Sequence, residues 1–189
     1  MRCVMFMKEI VFITGNEHKL SEARDILRAF DVLGQDVDIE EIQSLDPRAV
    51  SEHKIVSAYE IVQKPCFVED VSIVAEALGD LPGPFIKFFL SSMGSQGFAE
   101  LVHKYDNHRA HVLCTIGYAD AMGECSFHEG RVSGEIVLPR GENGFGFDPI
   151  FVVDGQTQTF AELPDGVKNS ISHRYLALQN FKKFLKARL

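Results

Sequence analysis

Over the first third of this chain, short β-branched apolar runs alternate with stretches of helical periodicity, and that rhythm restricts it to an α/β arrangement. Ile10, Val11, Phe12 and Ile13 read as a buried strand that ends in the turn Thr14-Gly15-Asn16. Leu20, Ala23, Ile26, Leu27 and Phe30 then recur at helical spacing, with Lys19, Glu22, Arg24, Asp25 and Arg28 on the other faces. A short strand is expected at residues 37–39. A helix over 49–63 is expected after Asp46-Pro47, and a buried strand over 66–68 ending at Glu69-Asp70.

The second half mixes the patterns. Leu81-Pro82-Gly83-Pro84 is a rigid bend leading into an apolar helix with Phe85, Ile86, Phe88, Phe89 and Leu90, and a further helix is expected over 98–104. Residues 110–119 and 126–138 read as strands joined by a hairpin-like turn at 120–123. A Gly-rich loop over 141–149 precedes two short strands, at 150–153 and 159–162. The last helix starts near Ser172 and turns Leu176, Leu178, Phe181, Phe184 and Leu185 to one side. At 189 residues, without repeats or a flexible linker, the chain suits one domain spanning 1–189, of mixed α/β (α+β) class.

Composition narrows the partners. A formal net charge of −8 argues against a general nucleic-acid binder, though a local basic pocket for one nucleotide is compatible with it. Residues 1–7 are too short an apolar stretch for a signal segment, and charges break the later apolar runs before membrane-spanning length. Cys3, Cys66, Cys114 and Cys125 have no paired or zinc-ligand spacing, and Cys66 and Cys114 sit in apolar runs as buried thiols. The expectation is a soluble cytoplasmic protein.

Five segments carry groups suited to chemistry, and each also has a plain structural use. The turn Thr14-Gly15-Asn16-Glu17-His18-Lys19 offers backbone N–H groups at the positive end of a helix, which suits a phosphate; it serves equally as a capped helix start with a solvated lysine. Glu69 and Asp70, adjacent in a strand, point to opposite faces and cannot form one chelate; one can face a metal while the other supports it, or both can end a strand in solvent. Glu40-Glu41-Ile42-Gln43 supplies another metal carboxylate or a charged loop. Gly144-Phe145-Gly146-Phe147-Asp148-Pro149 presents a ring to stack on a purine beside a carboxylate, or forms a turn whose rings enter the core. In Lys168-Asn169-Ser170-Ile171-Ser172-His173-Arg174, Ser172 caps a helix whose first turn holds two basic residues. That opposes the helix dipole by a few tenths to about 1 kcal/mol, which marks either a bound anion or base, or a tolerated mismatch.

The order of these segments, together with Ala77-Leu78-Gly79-Asp80-Leu81-Pro82-Gly83-Pro84-Phe85-Ile86-Lys87 and Thr159-Phe160-Ala161-Glu162, resembles the inosine triphosphate pyrophosphatase family over nearly the whole chain. The length and the wording around Glu41 look most like its archaeal branch. The resemblance implies an elongated two-lobed fold around a long curved mixed sheet, with a cleft between the lobes. It also implies Mg2+-dependent hydrolysis of ITP, dITP or XTP to the monophosphate and pyrophosphate, Mn2+ being a possible substitute, by a homodimer. On this chain it implies that Thr14, Gly15, Asn16, Lys19, Lys54 and Lys87 bind the phosphates. Glu41, with Glu40 as fallback, and Asp70 would hold the metal, and Asp70 would also be the catalytic carboxylate. Phe145, Gly146, Phe147, Asp148, Lys168, His173 and Arg174 would form the base pocket. Val71 stands where the family commonly has Thr or Ser, with Ser72 one place on, and Asp80 replaces a frequent Gly.

Base selection has a physical rationale. A 6-oxo purine offers an acceptor and an N1–H donor where adenine offers the reverse, and each buried group left unpaired costs about 1–3 kcal/mol. Two other functions compete: a non-catalytic nucleotide sensor, and a pyrophosphatase for dUTP or modified pyrimidine nucleotides.

Overall fold

The computed structural model describes residues 8–188, so the readings of residues 1–7, Cys3 included, lie outside the described residues. Strand β1 (Lys8–Ile13) leads through the Thr14 turn into α1 (Glu17–Ile26). Asn16 caps α1, its side-chain oxygen accepting the Lys19 N–H at 3.1 Å, and Leu20, Ala23 and Ile26 are the buried face. The helix stops at Leu27, and Phe30, expected on the helix, instead opens β2 (Phe30–Gln35). The strand expected at 37–39 is absent. Val37 and Ile39 pack as irregular chain against the core, so their apolar character is used without a ladder.

Helix α2 (Pro47–Val62) starts two residues earlier than expected, with Pro47 in its first turn and the Asp46 carboxylate accepting the Arg48 N–H at 2.9 Å. Strand β3 (Cys66–Ala75) runs well past Glu69-Asp70, which sit mid-strand rather than at its end. After the 81–84 bend, which holds the short β4 (Pro82–Gly83), a single helix α3 (Ile86–Val102) covers both helices expected there; Gly94, at φ 69° and ψ 175°, kinks it between them. Strands β5 (Arg109–Ala119) and β6 (Cys125–Ile136) form the expected hairpin, and β7 (Phe151–Val153) follows the Gly-rich loop.

Residues 159–162 form a turn, not a strand: the Thr159 N–H donates to Glu162 at 2.8 Å and its hydroxyl to the Arg140 carbonyl at 2.8 Å. The short α4 (Asp165–Ile171) lies where no helix was expected, and α5 (His173–Ala187) is capped by Ser172 as its sequence implies.

The seven strands make one mixed sheet in the order β2-β1-β3-β5-β6-β7, with β4 on β3. Pairing is parallel from β2 to β3 and antiparallel from β3 onward. Alternation along the strands divides the core. Phe12, Phe67 and Ile116 face α1 and α5, whereas Val11, Val68 and Ala119 face α2. A third cluster, with Ile73, Val112, Phe98 and Phe151, gathers around α3 and the 147–163 segment at the other end of the long strands. The result is the expected mixed α/β fold with two lobes. Cys66 and Cys114 are buried, as their apolar contexts imply.

Candidate active site

A cleft of about 480 Å³ separates the two halves of the core, and every site residue named from the sequence lines it except Lys168 and Glu40. Thr14, Gly15, Asn16 and Lys19 enter from the β1–α1 turn and Lys54 from α2. Glu69 and Asp70 come from the middle of β3. Lys87 comes from the first turn of α3, and Phe145, Gly146, Phe147 and Asp148 from the glycine loop. His173 and Arg174 come from the start of α5. Of the two adjacent glutamates, Glu41 lies in the wall.

One face of β3 carries a chain of charges of alternating sign. Lys19 Nζ lies 3.1 Å from Glu69 Oε1, and Glu69 takes two bonds from Arg174, each 2.8 Å. Arg174 also reaches Glu22 at 2.6 Å, Glu22 reaches Lys168 at 3.1 Å, and Lys168 reaches Asp148 at 2.7 Å. The chain ties α1, β3, α5, α4 and the glycine loop together. Burial works against ionising Glu69, but the charges of Arg174 and Lys19 outweigh it and hold the carboxyl well below the usual range. The basic first turn of α5 is thereby explained: Arg174 is clamped by carboxylates, and His173, fully buried beside Arg174, is held neutral by burial. Lys168 sits beneath the cleft rather than in its wall.

The other face holds Asp70. Its Oδ2 is buried without a hydrogen-bond partner, as is the hydroxyl of Thr115 directly across on β5. Burial, helped by Glu41 and Glu69 and opposed by Lys54 and Lys19, pushes the Asp70 carboxyl up to about 6. Nearby, Lys54 bonds Glu41 at 2.7 Å and Lys87 stands 3.8 Å from it, so Glu41 stays below its ordinary value despite burial.

At the far end, Phe145 is half-buried and lines the cleft, whereas Phe147 is 8 % exposed and packs into the core against Phe151 and His173. Asp148 is buried, accepts the Phe145 N–H at 2.8 Å, and has its carboxyl pushed up by burial against the pull of Lys168.

The Ham1 family model matches residues 10–184. The chain belongs to the Ham1 family. A protein from Schizosaccharomyces pombe (strain 972 / ATCC 24843) named inosine triphosphate pyrophosphatase is 40 % identical, covering 96 % of this chain and 97 % of its own. One of the same name from Batrachochytrium dendrobatidis (strain JAM81 / FGSC 10211) is 42 % identical and covers 96 % of each. A solved Ham1 structure from Coxiella burnetii superposes with a TM-score of 0.83 at 29 % identity, over 96 % of this chain and all of that one. These relatives are fungal and bacterial, and they lend the archaeal placement no support.

Within this Ham1 chain, sequence reasoning left two residues without a site role: Glu69 and Glu22. Glu69 was half-visible, as the neighbour of Asp70 on the opposite face. Glu22 sits one helical turn beyond Lys19, a spacing that puts both on one side of α1. The cleft's apolar wall of Pro84, Ile86, Phe88 and Leu90 was also missed, because an apolar helix reads as core.

Proposed function

We propose that this protein hydrolyses nonstandard purine nucleoside triphosphates (ITP, dITP and XTP) to the nucleoside monophosphate and pyrophosphate, clearing them from the nucleotide pool. The observation that carries this reading is one cleft with three lysines and two metal-suited carboxylates at one end, and a ring beside a buried carboxylate at the other. The names of the fungal relatives support it.

The amides at the start of α1, with Thr14, Gly15, Asn16, Lys19, Lys54 and Lys87, offset the roughly four negative charges of a triphosphate tail. Asp70, its carboxyl near 6, is ionised at neutral pH yet basic enough to take a proton from water. Water adds at the α–β bridge, the bridging P–O bond breaks, and pyrophosphate leaves. Glu69 is fully committed to Arg174 and Lys19, so it orients the site and does not move a proton. Phe145, Gly146 and Phe147 frame the base, and Asp148, His173 and Arg174 set the polar pattern its edge must match, with Lys168 acting through its 2.7 Å bond to Asp148.

The residues fit Mg2+, with Mn2+ as a substitute. Asp70 Oδ2 is a buried oxygen without a partner, and Glu41 brings a second hard donor. Glu41 and Asp70 would hold the ion, and when bound it supplies charge neutralisation on the phosphate oxygens. Homodimeric assembly and a cytoplasmic setting belong to the same reading; among the described residues no helix is long and apolar enough to cross a membrane.

Incubating the protein with ITP and Mg2+ and resolving the products tests the proposal. IMP with one pyrophosphate per turnover is expected. IDP with phosphate overturns the bond assignment, and binding without turnover favours a sensor.

A further inference from the structure

Phe145 presents the ring at the base end of the cleft, yet its own loop does little to fix it. Both neighbours are glycines in the left-handed region, Gly144 at φ 77° and Gly146 at φ 65°, and the loop's tethers are on the backbone, where Asp148 accepts the Phe145 N–H at 2.8 Å and donates its own N–H to the Phe145 carbonyl at 3.2 Å. The ring is instead held by neighbours from other elements: Lys168 Nζ and the Arg174 guanidinium lie 5.0 Å and 5.4 Å from its centroid, and one aromatic partner joins them. His18, in the first turn of α1, stacks on it with centroids 5.3 Å apart and planes at 21°. His18 is exposed and is not part of the cleft wall, whereas Phe145 is. The imidazole therefore backs the ring from outside the cleft. The capped turn that places His18 is rigid, since Asn16 accepts the Lys19 N–H and donates its own N–H to Thr14 Oγ1.

We propose that His18 is a positioning residue that clamps the Phe145 ring for nucleobase stacking. One helix turn then serves both ends of the substrate: Lys19 the phosphates, His18 the base through Phe145. This rests on the reading of the cleft as a purine nucleotide site. Fixing the ring before binding removes an ordering cost that each base would otherwise meet.

The test compares wild type, His18→Ala and His18→Phe with ITP and Mg2+, and measures inhibition by inorganic pyrophosphate. His18→Ala should raise KM about 3- to 10-fold, the range of one aromatic contact, with kcat staying within about twofold. His18→Phe should restore KM, since a ring stacks as well as the imidazole, and the inhibition constant of pyrophosphate should not move in either variant. An unchanged KM in His18→Ala, with wild type turning ITP over, overturns the clamp alone. A pyrophosphate constant that rises along with KM overturns it in favour of a phosphate contact. A wild type with no ITP turnover overturns the functional reading and the clamp with it.

Discussion

Arg174 and Glu69 are each 3 % exposed and share two 2.8 Å bonds, so removing either one strands the other in a place water does not reach. In Glu69→Met, Arg174 keeps Glu22 as its one carboxylate partner among the described residues. In Arg174→Met, Glu69 keeps only Lys19, at 3.1 Å. Breaking a buried pair from one side costs about 3–5 kcal/mol, so independent costs would sum to about 6–10 kcal/mol. Replacing both partners by apolar residues removes the buried pair together; Glu22 still has Lys168, and Lys19, which loses Glu69, is 22 % exposed and stays hydrated. The double variant should therefore lose no more than either single one, a coupling of at least about 3 kcal/mol. Urea unfolding followed by far-UV circular dichroism at neutral pH measures this, with stability differences read from midpoints at constant slope. A double variant as unstable as the sum of the single ones would refute the claim that the pair is a desolvated unit.

Further outcomes follow from the same geometry. Asp70→Asn should lower ITP turnover by at least about 10²-fold. Because burial raises the Asp70 carboxyl from its ordinary 3.8 to about 6, its ionised form costs the fold stability as pH rises through that window. The Asn variant should thus melt at or above the wild-type temperature at pH 7; a lower melting temperature contradicts the sign. His128 is pushed from 6.5 down to about 4, first by burial and then by Arg188, so the unfolded chain takes up its proton before the folded one does. Stability should fall as pH drops from 6.5 to 4, and His128→Phe should flatten that slope in melts run across the range. Gly144→Ala forces a side chain into φ 77° and against the Asp148 carboxylate; it should destabilise by about 1 kcal/mol or more and raise KM for ITP.

What was legible in the sequence was mostly local. The strand, capped turn and helix at residues 10–26 carry their own periodicity and cap, and Ser172 announces α5 in the same way. The candidate site was legible through the order of its motifs, and that order brought most of its residues to one cleft. The failures were non-local. Two acidic residues read as the end of β3 because the partner that makes Glu69 tolerable inside, Arg174, is 105 positions away. Phe30 kept the helical spacing of α1, but the chain leaves the helix at Leu27 to pair β2 with β1. Strand β2 hid behind Asp31 and Gly34, and Leu20 of α1 packs onto that glycine. The stack of His18 on Phe145 joins elements more than a hundred residues apart, and neither segment alone hints at it.

The central claim is that this cleft cleaves a triphosphate and chooses it by the purine's 6-oxo edge. Pyrophosphate release with Mg2+, as kcat/KM for ITP, XTP, dITP, ATP and dUTP, tests it most directly. Adenine reverses both the donor and the acceptor of hypoxanthine, and at about 1–3 kcal/mol per mismatched group ITP should exceed ATP by about 30-fold to 10⁴-fold. Equal rates for ITP and ATP, or dUTP turned over faster than dITP, would contradict the account.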